Sequence, residues 1–110
     1  MSKTPTLLFF AALSILTLSE FVSAQDASDL KAKELVTTLC SACHGTNGIS
    51  PVDTFPNLRG LGASYIEKQL KDFRDKTRID ASMNANASTL DDDTIKALAN
   101  YYSNLAHTAQ

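Results

Sequence analysis

The sequence contains no tryptophan, and of its 110 residues only two are cysteine, three proline and four glycine. Two cysteines are too few for a multi-bridge disulfide scaffold. Neither sign of charge dominates, with ten Lys and Arg against twelve Asp and Glu. That argues against a nucleic-acid binder, which shows a strongly basic face. Alternating strand patterns and internal repeats are missing. Long apolar runs are missing too, except near the N-terminus. Beyond residue 24 much of the apolar set is alanine, and the aromatics are Phe55, Tyr65, Phe73, Tyr101 and Tyr102. One domain with so few large apolar side chains builds a thin core. Chains of this size often add a metal or a cofactor to compensate.

The one apolar run is Leu7 to Leu18, preceded by Lys3 and followed by Val22-Ser23-Ala24. A positive start, an apolar stretch and small residues at a cut site form the secretory pattern. Residues 1–24 are therefore expected to be a signal peptide, cleaved after Ala24. As a helix the run spans about 18 Å, short of the roughly 30 Å hydrocarbon core. Residues 25–110 are then one domain working outside the cytoplasm, with no stable membrane insertion after cleavage.

Three helices are expected. Ala32, Leu35, Val36 and Leu39 recur at helical spacing within residues 28–39. A second helix opens at Ser64, where Ser64-Tyr65-Ile66-Glu67 has the capping-box pattern. Tyr65, Ile66, Gln69, Leu70 and Phe73 form its stripe. The last helix follows Leu90, with Asp91 as N-cap and Ile95, Leu98, Tyr102 and Leu105 as its seam. Residues 45–62, with their Gly and Pro, read as loop. Residues 76–89, rich in Asn, Ser and Ala, read as irregular. Loops this long in a small all-α domain suggest that they wrap something.

Cys40-Ser41-Ala42-Cys43-His44 is C-x-x-C-H, the c-type haem attachment pattern. Two thiols add to the two vinyl groups on one side of a porphyrin, and the next residue turns its imidazole to the iron. A zinc site would need more ligands, and beyond His44 only His107 is available. A thioredoxin-like pair expects a βαβ context that is absent. A disulfide between Cys40 and Cys43 would close too small a loop to stabilise much. For the far side of the iron, Met83 is the candidate: it is the one methionine beyond Met1, set among Ser82, Asn84, Asn86 and Ser88. His107 reads as an exposed tail residue.

With these residues the chain resembles the class I c-type cytochromes, most of all the monohaem cytochrome c-553 type and single halves of cytochrome c4. The similarity covers residues 27–106. It runs through Cys40 to Gly48, Phe55-Pro56-Asn57-Leu58, Tyr65 to Leu70, Met83, and Leu98 to Tyr102. It implies a small all-α fold of three to four helices and long loops around one covalently bound haem. The first and last helices would cross with Ala32 against Tyr101 or Tyr102. Cys40 and Cys43 would carry the thioethers; His44 and Met83 would bind iron. The resemblance also implies a proline carbonyl on the far nitrogen of the imidazole, with Pro56 matching and Pro51 its rival. Tyr65, Arg59 and Arg78 are candidates for the haem propionates. Gly60-Leu61 departs from the Gly-Gln common in relatives, so one polar contact near the haem edge is expected to be missing.

The function implied is periplasmic one-electron transfer between redox proteins, dehydrogenase, reductase or oxidase, rather than catalysis. Two alternatives are a haem subunit of a periplasmic dehydrogenase complex and an open-site haem enzyme or gas sensor. Residues 59–78 are net basic and residues 80–93 acidic. Such asymmetry can orient a docking partner.

Overall fold

The computed structural model describes residues 1–2 and 21–105. The apolar run from Leu7 and the tail residue His107 both lie outside the described residues. Those described are all helical, with no strand among them: α1 Ala24–Leu35, α2 Ser41–His44, α3 Ala63–Arg74, α4 Ala81–Ala87 and α5 Asp92–Asn104. A single π-helical turn, Val36–Cys40, joins α1 to α2. The first helical path therefore continues through the C-x-x-C-H motif, beyond the residues 28–39 that the sequence spacing marked as helix. None of the described helices is long and apolar enough to cross a membrane.

Caps set most of the helix ends. Ser23 and Asp26 form a capping box at the start of α1. Asp91 accepts from Thr94 N–H at 2.7 Å at the start of α5, where Asp92 and Asp93 meet the positive end of the helix. The box expected at Ser64 does not form. α3 begins one residue earlier, with Gly62 as N-cap and no side-chain cap, so Ser64 falls inside the first turn. The largest departure is α4, in a stretch whose Asn and Ser read as loop. Asp80 caps it by accepting from Met83 N–H at 2.8 Å. Ala81, Ala85 and Ala87 then favour a helix.

α1 crosses α5, and α5 packs in turn on α3. Ala32, Val36, Ile66, Phe73, Leu90, Ile95, Leu98 and Tyr102 are buried together with three further alanines. Ala32 and Tyr101 line a shallow groove where α1 and α5 meet, whereas Tyr102 turns into the core. The basic and acidic stretches are partly spent on each other: Arg74 pairs with Asp92 at 2.7 Å and bonds the Leu90 carbonyl at 3.1 Å. Lys31 pairs with Asp91 at 3.4 Å.

α3 ends in a Schellman turn. Thr77 N–H bonds the Asp72 carbonyl at 3.0 Å and Lys76 N–H the Phe73 carbonyl at 3.3 Å. Lys76 takes φ 60°, alone among the described non-glycine residues. Glycine is the usual residue there because a Cβ makes the left-handed region costly. Lys76→Gly is expected to raise stability by about 0.5–1 kcal/mol, the relief of strain net of added unfolded-state entropy. A thermal melt checks it, and a lowered midpoint would show the strain to be absent.

Candidate functional site

The C-x-x-C-H residues are delivered by the π turn and α2. Cys40 closes the π turn, and Cys43 and His44 lie on the short helix behind it. Gly45 then turns the chain sharply, with φ 76°. A Cβ at Gly45 would stand 1.9 Å from the Ile49 carbonyl oxygen, so only glycine fits there. Gly48, at φ 74°, presents its carbonyl to Leu58 N–H at 2.8 Å and Arg59 N–H at 3.0 Å. The Asn57 side chain accepts from Ser50 N–H at 2.7 Å. The Ser50 hydroxyl lies 2.9 Å from the Cys43 carbonyl oxygen. These bonds fold residues 45–62 back against α2.

The folded loop carries the Pro56 carbonyl to His44. The imidazole Nδ1 donates to it at 2.9 Å, and His44 is buried. A carbonyl can only accept, so Nδ1 carries a proton, and in the neutral imidazole Nε2 keeps its lone pair. Pro51 does not share in this bond.

His44 opens on a cavity of about 450 Å³, within the usual size range of cofactor pockets. Its walls combine Cys40 and Cys43 with apolar side chains of α3 and α5, among them Ile66, Leu70, Phe73 and Leu98. Met83, half-buried on α4, lines the same cavity. Tyr65 and Arg78 also line it. Arg78 stacks over the Phe73 ring at 4.5 Å and donates to Gln69. Arg59 stands apart from the lining; its backbone is tied to Gly48. Leu61 lines the cavity with a side chain that cannot hydrogen-bond.

The position of α4 depends on Asn84, which the sequence did not single out. Its amide donates to the Phe73 carbonyl at 2.7 Å and to the Arg78 carbonyl at 2.8 Å, clamping α4 to the end of α3. An Asn one residue after a Met was the available signal, but its partners lie on a different element.

Two groups of the cavity wall are electrostatically coupled. Burial pushes the Cys40 thiol up, partly offset by the Tyr102 hydroxyl. Burial likewise pushes the Tyr102 phenol far up, with Cys40 adding to it. The Tyr102 oxygen is fully buried with the Cys40 thiol as its near polar neighbour, but the two do not reach full hydrogen-bond geometry. An unmade bond of this kind costs about 1–3 kcal/mol.

The donor set decides which group belongs here. No cluster of three His, Cys, Asp or Glu that could hold a bare metal ion occurs among the described residues. Two free thiols, an imidazole with one free nitrogen and a thioether instead border an apolar cavity. That is the chemistry of a covalently bound haem.

Comparison with known proteins agrees. The cytochrome c family model matches residues 30–106. Cytochrome c4 of Pseudomonas aeruginosa is 35% identical over 88 residues, which cover 80% of this chain and 44% of that protein. Cytochrome c-554(548) of Halomonas halodenitrificans is 40% identical over 80 residues, covering 70% of this chain and 96% of that one. The crystal structure of reduced recombinant cytochrome c4 from Pseudomonas stutzeri superimposes with a TM-score of 0.61 at 32% identity. It covers 70% of this chain and 47% of its own. The chain thus spans about half the length of the cytochrome c4 relatives and nearly all of the cytochrome c-554(548). The chain belongs to the cytochrome c family, as a class I monohaem member, and its Cys40, Cys43 and His44 fit the attachment motif of the haem c that the family carries.

Proposed function

We propose that this protein is a periplasmic one-electron carrier whose haem iron is held by His44 Nε2 and the Met83 sulfur. The observation that carries this reading is the pair of soft and borderline donors on one apolar cavity, each oriented from outside it. His44 is fixed by the Pro56 carbonyl, and Met83 by the Asp80 cap and the Asn84 clamp. When bound, the haem supplies a single-electron iron couple. The chain's own contribution is positional. The bond from Nδ1 to Pro56 holds the ring plane and makes the imidazole a better donor. A thioether on the other side favours the reduced iron and raises the potential. With His44 and Met83 both holding the iron, no position would be left open to oxygen. Ile66, Leu70, Phe73 and Leu98 give the cavity an apolar wall. Tyr65 and Arg78, which line the cavity, would meet propionates more readily than Arg59, which is not among its lining residues.

Electrons would pass to and from other redox proteins through a small, transient contact. Exposed Phe55, Tyr65 and Ile79 at the cavity border supply apolar surface for it. Export follows from residues 1–24 as a leader. Cleavage after Ala24 would remove Ser23, and the mature α1 would then begin without its capping box.

The test is a redox titration of the haem-loaded protein with absorption spectra at each step. A reversible one-electron transition is expected, with the weak long-wavelength sulfur-to-iron charge-transfer band in the oxidised state. Absence of that band, with fast carbon monoxide binding on reduction, would overturn the ligation and favour an open-site protein.

A further inference from the structure

The orphaned hydroxyl of Tyr102 is the feature that attachment and ligation leave unused. The side chain is 2% exposed, its oxygen is fully buried, and it lines the same cavity as Cys40, close enough that each group shifts the other. Its neighbour Tyr101 meets it edge-on at 5.3 Å and turns its own hydroxyl outward, to the Thr46 carbonyl at 3.5 Å. The two tyrosines therefore divide: one ties α5 to the loop after the motif, and the other buries its hydroxyl at the cavity wall. Phenylalanine would fill the space of Tyr102 with no polar atom to satisfy.

The chemistry at Cys40 shows what the proton is for. A free thiol both donates and accepts weakly. On attachment the sulfur bonds to one vinyl carbon and the thiol proton goes to the other, with no oxidant consumed. The product is a thioether, which keeps lone pairs but has no proton to give. Of the two groups, only the phenol can then donate.

We infer that Tyr102 donates a hydrogen bond to the Cys40 thioether sulfur, as a positioning residue that also biases the haem's reduction equilibrium. The bond withdraws electron density from the sulfur, and through it from the macrocycle, which favours the reduced state. Hydrogen bonds around an iron centre are a recognised lever on its potential. The inference rests on attachment through Cys40.

The experiment compares haem-loaded wild-type protein with Tyr102→Phe by resonance Raman spectroscopy in H2O and D2O, and by redox titration. The thioether C–S stretch of the wild type is expected to shift on deuteration, and that of Tyr102→Phe is not. The variant's reduction equilibrium is expected to move about two- to fivefold toward the oxidised form. No isotope shift in the wild type, or an unchanged equilibrium in Tyr102→Phe, would overturn the inference. If Tyr102→Phe does not accumulate, the wild-type isotope shift decides alone. Haem lost in denaturant from the wild type, read by mass, would fault the attachment instead.

Discussion

Met83→Ala is expected to turn a closed haem protein into an open one. The side chain is half-buried at the cavity, and its removal disturbs little else. The cap from Asp80 uses the Met83 backbone N–H, which alanine keeps. The Asn84 clamp to Phe73 and Arg78 does not involve Met83 at all. Alanine is also the best helix former, so α4 should persist. The variant should therefore fold and attach haem while lacking the sulfur. Three readouts should move together: the charge-transfer band is lost, carbon monoxide binds rapidly on reduction, and the potential falls. The fall should be on the order of 0.1 V or more, within the roughly 0.8 V that axial ligands span. The sign follows from chemistry, because a soft thioether stabilises the softer, reduced iron, and water or hydroxide in its place does not. A Met83→Ala spectrum identical to the wild type would remove Met83 from the iron.

How much of this was legible in the sequence depends on the range of the interactions concerned. C-x-x-C-H is a local pattern, and the cytochrome c family it pointed to is the family the chain belongs to. The seam of α5 was also local: Ile95, Leu98 and Tyr102 lie on one helical face and are buried together. That same phase separates Tyr102 from Tyr101, two residues that composition alone treats alike. The start of α3 was misread because a capping box was available at Ser64, yet the helix begins before it at Gly62. α4 was missed for a physical reason. Its polar residues look like loop when read along the chain, but Asn84 is spent on two carbonyls of another element and Asp80 is a cap. The loop of residues 45–62 was recognised as loop, but not its anchors. Ser50, Asn57 and Gly48 make their bonds across the loop, and no spacing rule announces such pairs. These unread bonds bring Pro56 to His44 and Met83 to the cavity. The identities of the site residues were local information; their delivery was not.

The chain without haem, made by expression without the attachment machinery or as Cys40→Ala with Cys43→Ala, is expected to have no cooperative fold. Cavity volume supplies the first argument. About 450 Å³ of void, at about 24 cal/mol per Å³, corresponds to an upper bound of about 11 kcal/mol. The total stability of a small domain is about 5–15 kcal/mol. A void of that size therefore collapses or floods. Helix length supplies the second argument. α1, α3 and α5 have 12, 12 and 13 residues, and α4 has 7. Isolated helices shorter than about 12–15 residues are marginal in water, so these depend on packing. What packs them is slight: the largest fully buried side chains are Ile95, Leu98, Val36 and Thr94. The α1–α5 contact, centred on Ala32, can survive as a fluctuating pair. α4 is held by Asn84 at the end of α3 and by Ala87 in the core, and the rest of its inner side borders the cavity. Far-ultraviolet dichroism should then show reduced helix, near-ultraviolet signals should vanish, and a hydrophobic dye should bind. Heating should give a gradual slope in place of a sigmoid. A haem-free chain with sharp side-chain resonances and a steep melt would mean that the polypeptide core suffices, and that the haem is a passenger in a fold it does not hold up.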